Sequence, residues 1–582
     1  MMMDAIIGTG KISKREYEII ANRNTAVPMS DGINIDLDIF RPDSRGKFPV
    51  LFGIAPFDKE VQSERIWPAA TRSRRIRGLP DAAVEMPPID FFVRRGYVLI
   101  IGSVRGTGKS GGVFQYLSQR EIQDVYEIIE WAAEQPWCNG KVGMIGLGYY
   151  SAHQSLVAQL QPPHLKAIAP IGTFWDNYRH FWWPGGVLQK GFLRWLVSLT
   201  NFNIHTEKSH LIEKLGKKKF EETIAQALAD KDLCGAPEIV EALKNPYQLG
   251  NANYLDIVLQ PLINDYWLER GAQIDFNKIK VPAYLGAASH RPSVFYYWPD
   301  LDIPKKLLFF PPPYTDRPFY QVSWELLRWF DYWLKDIDTG IMDEPPVRLF
   351  VRGSNEWLSA EDFPVPGTKW IPFNLHQNFS LCEIEPWPEA ASASYDDNPD
   401  NRGFLKYSSA PLVENTEIAG PIIVNLYASC RGTDMNFFVG LWDLSPDEKE
   451  VCLTRGYLKA SHRELDKKLS KPWLPVQTHT NLQPLVPGEI YEFRFVMNPT
   501  ANLFTAGHRV VLKISSADDP PEDLYQVGHE HLCSQTPNTI TIYHNAQYPS
   551  HIMLPITRGN IVGTYVSGGD ISLETRGFME LK

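Results

Sequence analysis

Over roughly the first 350 residues, short apolar runs alternate with segments of helical period. Phe48-Pro49-Val50-Leu51-Phe52-Gly53, Gly96-Tyr97-Val98-Leu99-Ile100-Ile101 and Leu165-Lys166-Ala167-Ile168-Ala169-Pro170 are dominated by apolar residues. Strands of this kind are covered on both faces, which predicts a mostly parallel sheet between helices from about Val27 to Phe350. One crossover helix is well marked. Ser118 and Glu121 have the spacing of a capping box, Ile122, Val125, Ile129 and Ala132 then share one face, and Pro136 closes the segment. The last helix of this region is an amphipathic stretch at Trp324–Lys335.

The pattern changes twice. From about Phe181 to Gln273 the chain reads as charged helical segments, Lys208–Lys219 and Phe220–Lys231 among them, before strand texture resumes at Val281-Pro282-Ala283-Tyr284-Leu285. This predicts a helical cap inserted over the carboxyl edge of the sheet. After about Pro366 the period is two: Tyr491, Phe493 and Phe495 alternate with Glu492 and Arg494, and Val510, Leu512 and Ile514 with Arg509, Val511 and Lys513. Such alternation between turn residues predicts a β-sandwich or jelly roll. The expected organisation is an α/β core in two parts (1–180 and 274–365), a helical cap (181–273) and a β jelly-roll domain (366–582).

Composition narrows the class. Hydrophobic residues make up 44% and charged residues 22%, ordinary for a soluble globular protein. A net charge of −10 with no basic stripe argues against a nucleic-acid partner. No stretch has the length and apolarity of a membrane span, and the first residues lack a signal-length apolar run, so a cytoplasmic location is expected. The six cysteines are widely spaced with no C-x-x-C pair, which predicts reduced thiols and no zinc knot. Neither a metal nor a cofactor is expected.

The segment most informative about chemistry is Gly146-Leu147-Gly148-Tyr149-Tyr150. It has the strand–turn–helix context of a G-x-S-x-G nucleophile elbow, with Gly148 at the apex where the attacking serine stands. Other motifs are weaker. Gly106-Thr107-Gly108-Lys109-Ser110 lacks the first glycine of a phosphate loop, since position 103 is Ser103, and reads as a structural turn. His529-Glu530-His531 lacks the spacing of a zinc helix. His153 is expected to be buried and hydrogen-bonded. His479 and His544 are expected in surface or turn positions.

Several segments together resemble the cocaine esterase and X-prolyl dipeptidyl-peptidase (CocE/NonD) family. They include Pro28-Met29-Ser30-Asp31-Gly32, Arg105-Gly106-Thr107-Gly108-Lys109-Ser110-Gly111-Gly112, Gln135-Pro136-Trp137-Cys138-Asn139-Gly140, Trp329-Phe330-Asp331-Tyr332-Trp333-Leu334 and Gly507-His508-Arg509. The resemblance runs in order along nearly the whole chain. It implies an α/β-hydrolase fold with an inserted helical cap and a C-terminal jelly roll, and hydrolysis of esters or amides by a Ser-His-Asp triad. Carried across position by position, the triad is missing. The serine falls on Gly148, the aspartate on Arg291, the histidine on Tyr314, and the side-chain oxyanion tyrosine on Phe57. The backbone N–H of Tyr149 remains as an oxyanion donor. Loss of a triad leaves only about 10³–10⁴-fold catalysis over water, so an ordinary serine mechanism is not expected.

What remains suggests acid–base chemistry without a covalent intermediate. Arg291 is a permanent cation, Tyr314 a phenol, and His290, beside them, titrates near neutrality. In this reading His290 or Tyr314 moves a proton and Arg291 holds charge on a carbonyl, carboxylate or aromatic compound, while Phe57, Gly148, Trp175, Trp182 and Trp183 line the pocket. Hydrolysis, carbon–carbon cleavage and isomerisation fit equally. The alternatives are a small-molecule-binding pseudoenzyme, a structural subunit of a homo-oligomer, and the esterase or peptidase activity of the family.

Overall fold

The structure is a computed structural model that describes residues 11–57, 59, 85–173, 175–198, 204–206, 208–287, 293–311, 318–518 and 530–559. Among these residues ten strands form one mixed sheet. They are β1 (Ile19–Pro28), β2 (Asn34–Pro42), β3 (Phe48–Ala55), β4 (Val98–Ser103), β5 (Cys138–Leu147), β6 (Leu165–Ile171), β7 (Ala283–Ala287), β8 (Lys305–Phe309), β9 (Val347–Val351) and β10 (Glu356–Ala360). Their spatial order is β1-β2-β4-β3-β5-β6-β7-β8-β9-β10. Every pair from β4-β3 to β8-β9 is parallel, and β1-β2, β2-β4 and β9-β10 are antiparallel. All residues of β3 and β4 are buried, as continuous apolar runs require.

Helices cover the sheet: α1 (Ile89–Val93), α2 (Gln119–Glu134) and α3 (Tyr149–Ala158) early in the chain, and Pro318–Lys335 after β8. The α2 start is half a capping box. Ser118 Oγ accepts from the Glu121 N–H at 3.2 Å, but the Glu121 side chain does not reach back. It turns inward to Tyr149 and His153 instead. The turn after β4 is structural, as its sequence suggests. Arg105 clamps Asp124 of α2 at 2.8 and 2.7 Å and reaches Asp31 at 2.8 Å, while Thr107 Oγ1 donates to the Val104 carbonyl. A Cβ on Gly106, at φ +70°, would stand 2.1 Å from the Phe114 nitrogen, so the close crossing requires glycine.

Between β6 and β7 the chain is helical, from Tyr178 to Lys278 in element bounds. The C-terminal region is a two-sheet β-domain. One sheet is built around the long strand Thr416–Cys430, flanked by Tyr491–Phe504 and His551–Arg558; the other pairs Phe404–Ser408, Arg509–Ser515, Asn436–Leu444 and Glu450–Lys459 in that order. Phe493, Phe495, Val510, Leu512 and Ile514 all enter the core between them. His479 and His544 do not lie at the surface, contrary to expectation: each is only 2% exposed. His462 and the inserted Tyr178 enclose His479, and Tyr407 packs on His544, contacts that strand period alone does not reveal.

The inserted helices are fastened to the β-domain. Arg179 donates to the carbonyls of Gln477 at 3.0 Å and Thr478 at 3.3 Å. Gly185, at φ +60°, lies so close that a Cβ would be 2.0 Å from the Tyr457 carbonyl oxygen. Gly185→Ala is therefore expected to destabilise the protein by about 2–4 kcal/mol, from overpacking and left-handed strain together. A urea melt checks this, and a variant within about 0.5 kcal/mol of the parent contradicts the close seat.

Candidate active site

The strand β5 carries the apolar run that delivers the chain to the carboxyl edge of the sheet, and α3 starts immediately after it. At the joint Gly148 adopts φ 61° and ψ −116°, a conformation strained for any residue with a side chain. The turn is thus the sharp strand-to-helix elbow its sequence predicts, with no side chain at the apex. Gly146 lets the elbow close, since a Cβ there would be 2.2 Å from Tyr150 Cβ. The Gly148 N–H is anchored to the Ile171 carbonyl of β6 at 3.1 Å.

A carboxylate stands over the apex. A Cβ built on Gly148 would lie 3.3 Å from Glu85 Oε1 and 3.6 Å from Oε2. Glu85 is held there by its own carbonyl, which accepts from the Leu147 N–H at 2.9 Å. The next residue, Met86, is buried, and its sulfur occupies the space that a Cβ on Gly53 of β3 would need. Sequence reasoning missed Glu85, because it belongs to no motif and is far from the elbow along the chain.

The expected site residues fall into three groups. Phe57 is buried near the elbow, its ring 6.4 Å from that of Tyr150. Its loop is pinned by Lys59, whose Nζ is 2.5 Å from Asp36 and 3.0 Å from Asp38. The Tyr149 peptide N–H heads α3, where first-turn N–H groups have no intrahelical acceptor. Its phenol is structural: it donates to Glu121 Oε1 at 2.9 Å and accepts from the Leu117 N–H at 3.2 Å. Burial, and then the Glu121 charge, hold that phenol well above its ordinary range. His153, fully buried as expected, shares the same Glu121 oxygen at 2.6 Å.

The tryptophans are packing groups of the insertion. Trp182 sets its edge against Tyr116, and Trp183 stacks on Tyr178. Trp175 packs on Phe276 and Tyr297. His290, Arg291 and Tyr314 lie outside the described residues.

A second region deserves comparison with the elbow. A cavity of about 320 Å³ opens where the core, the inserted helices and the β-domain meet, lined by Phe276, Tyr297, Tyr457, Phe495, His180 and Lys468 among others. None of Phe57, Glu85, Gly148 or Tyr149 lines it. Behind the lining residue His180, Ser293 Oγ lies 3.1 Å from His180 Nδ1. Burial pushes His180 down to about 4, so its ring is neutral at pH 7. The nearby Asp176 carboxylate is engaged by the N–H and Nη1 of Arg179 and by the Tyr297 hydroxyl. Ser293 itself is fully buried. Among the described residues no carboxylate is hydrogen-bonded to this histidine, and the serine has no exposed surface. Among the described residues no group of three or more His, Cys, Asp or Glu side chains is placed to hold a metal ion.

Comparison with known proteins places this geometry in context. Residues 31–307 match the family model of X-Pro dipeptidyl-peptidase (S15 family), and residues 339–553 match the X-Pro dipeptidyl-peptidase C-terminal non-catalytic domain. The cocaine esterase of Rhodococcus sp. is 26% identical over 600 residues, covering 92% of this chain and 98% of that protein. A CocE/NonD family hydrolase from Staphylococcus aureus superimposes with a TM-score of 0.77 at 26% identity, over 93% of this chain and 94% of its own. An aminopeptidase from a marine sediment Thaumarchaeota archaeon, at 17% identity and a TM-score of 0.71, shares the fold. In sequence and in fold this chain matches the S15 X-Pro dipeptidyl-peptidase and CocE/NonD hydrolases, in its α/β core and its C-terminal β-domain alike.

Proposed function

We propose that the protein hydrolyses small esters or amides by direct addition of water, without an acyl-serine intermediate. The observation that carries this reading is Gly148 at the apex of an otherwise intact elbow. The match to hydrolases supports the reaction class. The missing hydroxyl argues against the covalent route. In this reading the Tyr149 N–H receives the developing oxyanion. On the substituted loops His290 or Tyr314 moves a proton and Arg291 holds charge, with Phe57 closing the apolar side of the crevice.

The test pairs a substrate panel with an active-site label. The protein is offered p-nitrophenyl esters and aminoacyl anilides, and a fluorophosphonate probe followed by intact mass. Turnover without a phosphonyl adduct is expected. An adduct on any serine, or an acyl-enzyme mass during turnover, would restore the conventional esterase mechanism. Thermal stabilisation by the panel without product would instead mark a binding protein.

A further inference from the structure

We infer that Glu85 is the general base of the emptied elbow, taking a proton from the attacking water where a serine hydroxyl would otherwise stand. This rests on the water-addition reading above. Three features of the structure lead to it.

The first is position. The carboxylate oxygen is 3.3 Å from the point a Cβ at residue 148 would occupy. A nucleophile's hydroxyl would project into the space beside Glu85. With glycine there, residue 148 puts no side chain into that space, and in the proposed mechanism one water sits in it, within reach of the carboxylate. The second is rigidity. Glu85 is tied to the strand that ends in the elbow by the Leu147 N–H bond, and the buried Met86 side chain locks the following residue against β3. A base preorganised in this way loses little freedom when it acts. The third is the backbone. The elbow keeps its φ 61°, ψ −116° turn although it presents no nucleophile. That turn makes the Tyr149 N–H the first of α3, where it has no intrahelical acceptor and is available to an oxyanion.

The chemistry balances without an outside reagent. As the water oxygen bonds to the acyl carbon, Glu85 Oε1 takes one water proton. The carbonyl π pair moves to its oxygen and is held by the Tyr149 N–H. The tetrahedral intermediate then collapses and breaks the bond to the alcohol or amine. The Glu85 carboxylic acid returns its proton to that leaving group and is regenerated as a carboxylate. A fixed negative charge at the floor also sets the substrate class: neutral acyl compounds are admitted, and those with a carboxylate beside the scissile bond are repelled.

The experiment measures kcat and KM for p-nitrophenyl acetate, from about pH 3.5 to about pH 9, in the parent, Glu85→Gln, Glu85→Asp and Glu85→Ala. Glu85→Gln is expected to lower kcat by roughly 10²–10⁴-fold, with KM changed less than about threefold, and to lose the acidic limb of the profile. Glu85→Asp, which keeps the charge, should retain the limb with a lower plateau. Added formate should restore part of the Glu85→Ala rate, which a packing role would not allow.

Parental kcat and pH limb in Glu85→Gln overturn the assignment and leave the water-addition reading standing. So does full parental rate in Glu85→Asp, should Glu85→Gln fail to fold. A loss confined to KM overturns it too, making Glu85 a binding group rather than a base. A parent that turns over no ester or amide sinks both readings.

Discussion

At pH 5 the protein is expected to be about 4 kcal/mol less stable than at pH 7 through His462 and His479 alone. The two imidazoles face each other in the β-domain, Nδ1 to Nδ1 at 2.9 Å, and are 3% and 2% exposed. Gly186 of the inserted helices presses on His462, and the Tyr178 ring lies 5.1 Å from that of His479. Burial first, then Lys459, pushes His462 down to about 3. Burial, His462, Arg179 and His180 push His479 well below its usual value. In the unfolded chain both take up protons near pH 6.5, whereas in the folded chain they stay neutral far lower. Between those values the unfolded state binds more protons, so stability falls as the pH falls through 6.5. Each group contributes about 2 kcal/mol of that loss by pH 5.

His180 and His544, both pushed down to about 4, act in the same direction. The buried carboxyls of Asp256 and Glu325 are raised, mainly by burial, and oppose the loss at lower pH. Urea midpoints at pH 7, 6 and 5 measure the slope, and a His462→Gln/His479→Gln double variant should flatten it. A midpoint that holds steady or rises on acidification contradicts the buried neutral pair.

The second large effect is expected at Asp331→Ala, about 3–5 kcal/mol of lost stability. Asp331 is fully buried on the helix after β8 and gathers three parts of the core. It accepts from the Ser13 N–H at 2.6 Å, the Ser13 hydroxyl at 2.7 Å and the Tyr97 hydroxyl at 2.7 Å. Lys335 lies 3.5 Å away, with its ammonium 3.7 Å from the centre of the Tyr97 ring. Burial brings Lys335 down to about 8 even with Asp331 beside it. Without the carboxylate, the half-buried Lys335 ammonium loses its counter-charge, the buried Tyr97 phenol loses its acceptor, and the segment at Ser13 loses its tether. Thermal melts and proteolysis near residue 13 read the two consequences. Asp331→Asn, which keeps an acceptor oxygen, should be milder. An alanine variant within about 1 kcal/mol of the parent contradicts this role.

Strand and helix placement was readable where the apolar period was strong. β3, β4 and α2 follow from runs and a cap signal whose physics is local. The β-domain core followed from alternation at Phe493, Phe495, Val510, Leu512 and Ile514. Burial of isolated polar groups was not readable in the same way. His479 packs against Tyr178 of the insertion and His544 against Tyr407, both distant in sequence, and no local pattern encodes that.

The site divides along the same line. Gly148 could be found because the elbow is a contiguous motif with its own turn geometry. Glu85 could not, because its place over the apex arises from one backbone bond to Leu147 and the seat of Met86, both contacts between remote segments. The tryptophans stood out in the sequence through their abundance, yet Trp182 and Trp183 fill the insertion.

The seat of Gly185 against the Tyr457 carbonyl has a mechanical consequence. The inserted segment joins the sheet through two stems, and just after the first of them Arg179 and Gly185 rivet it to the β-domain. Any swing of that stem would first have to lift Gly185 off the Tyr457 carbonyl, so the joint behaves as a weld and not as a hinge.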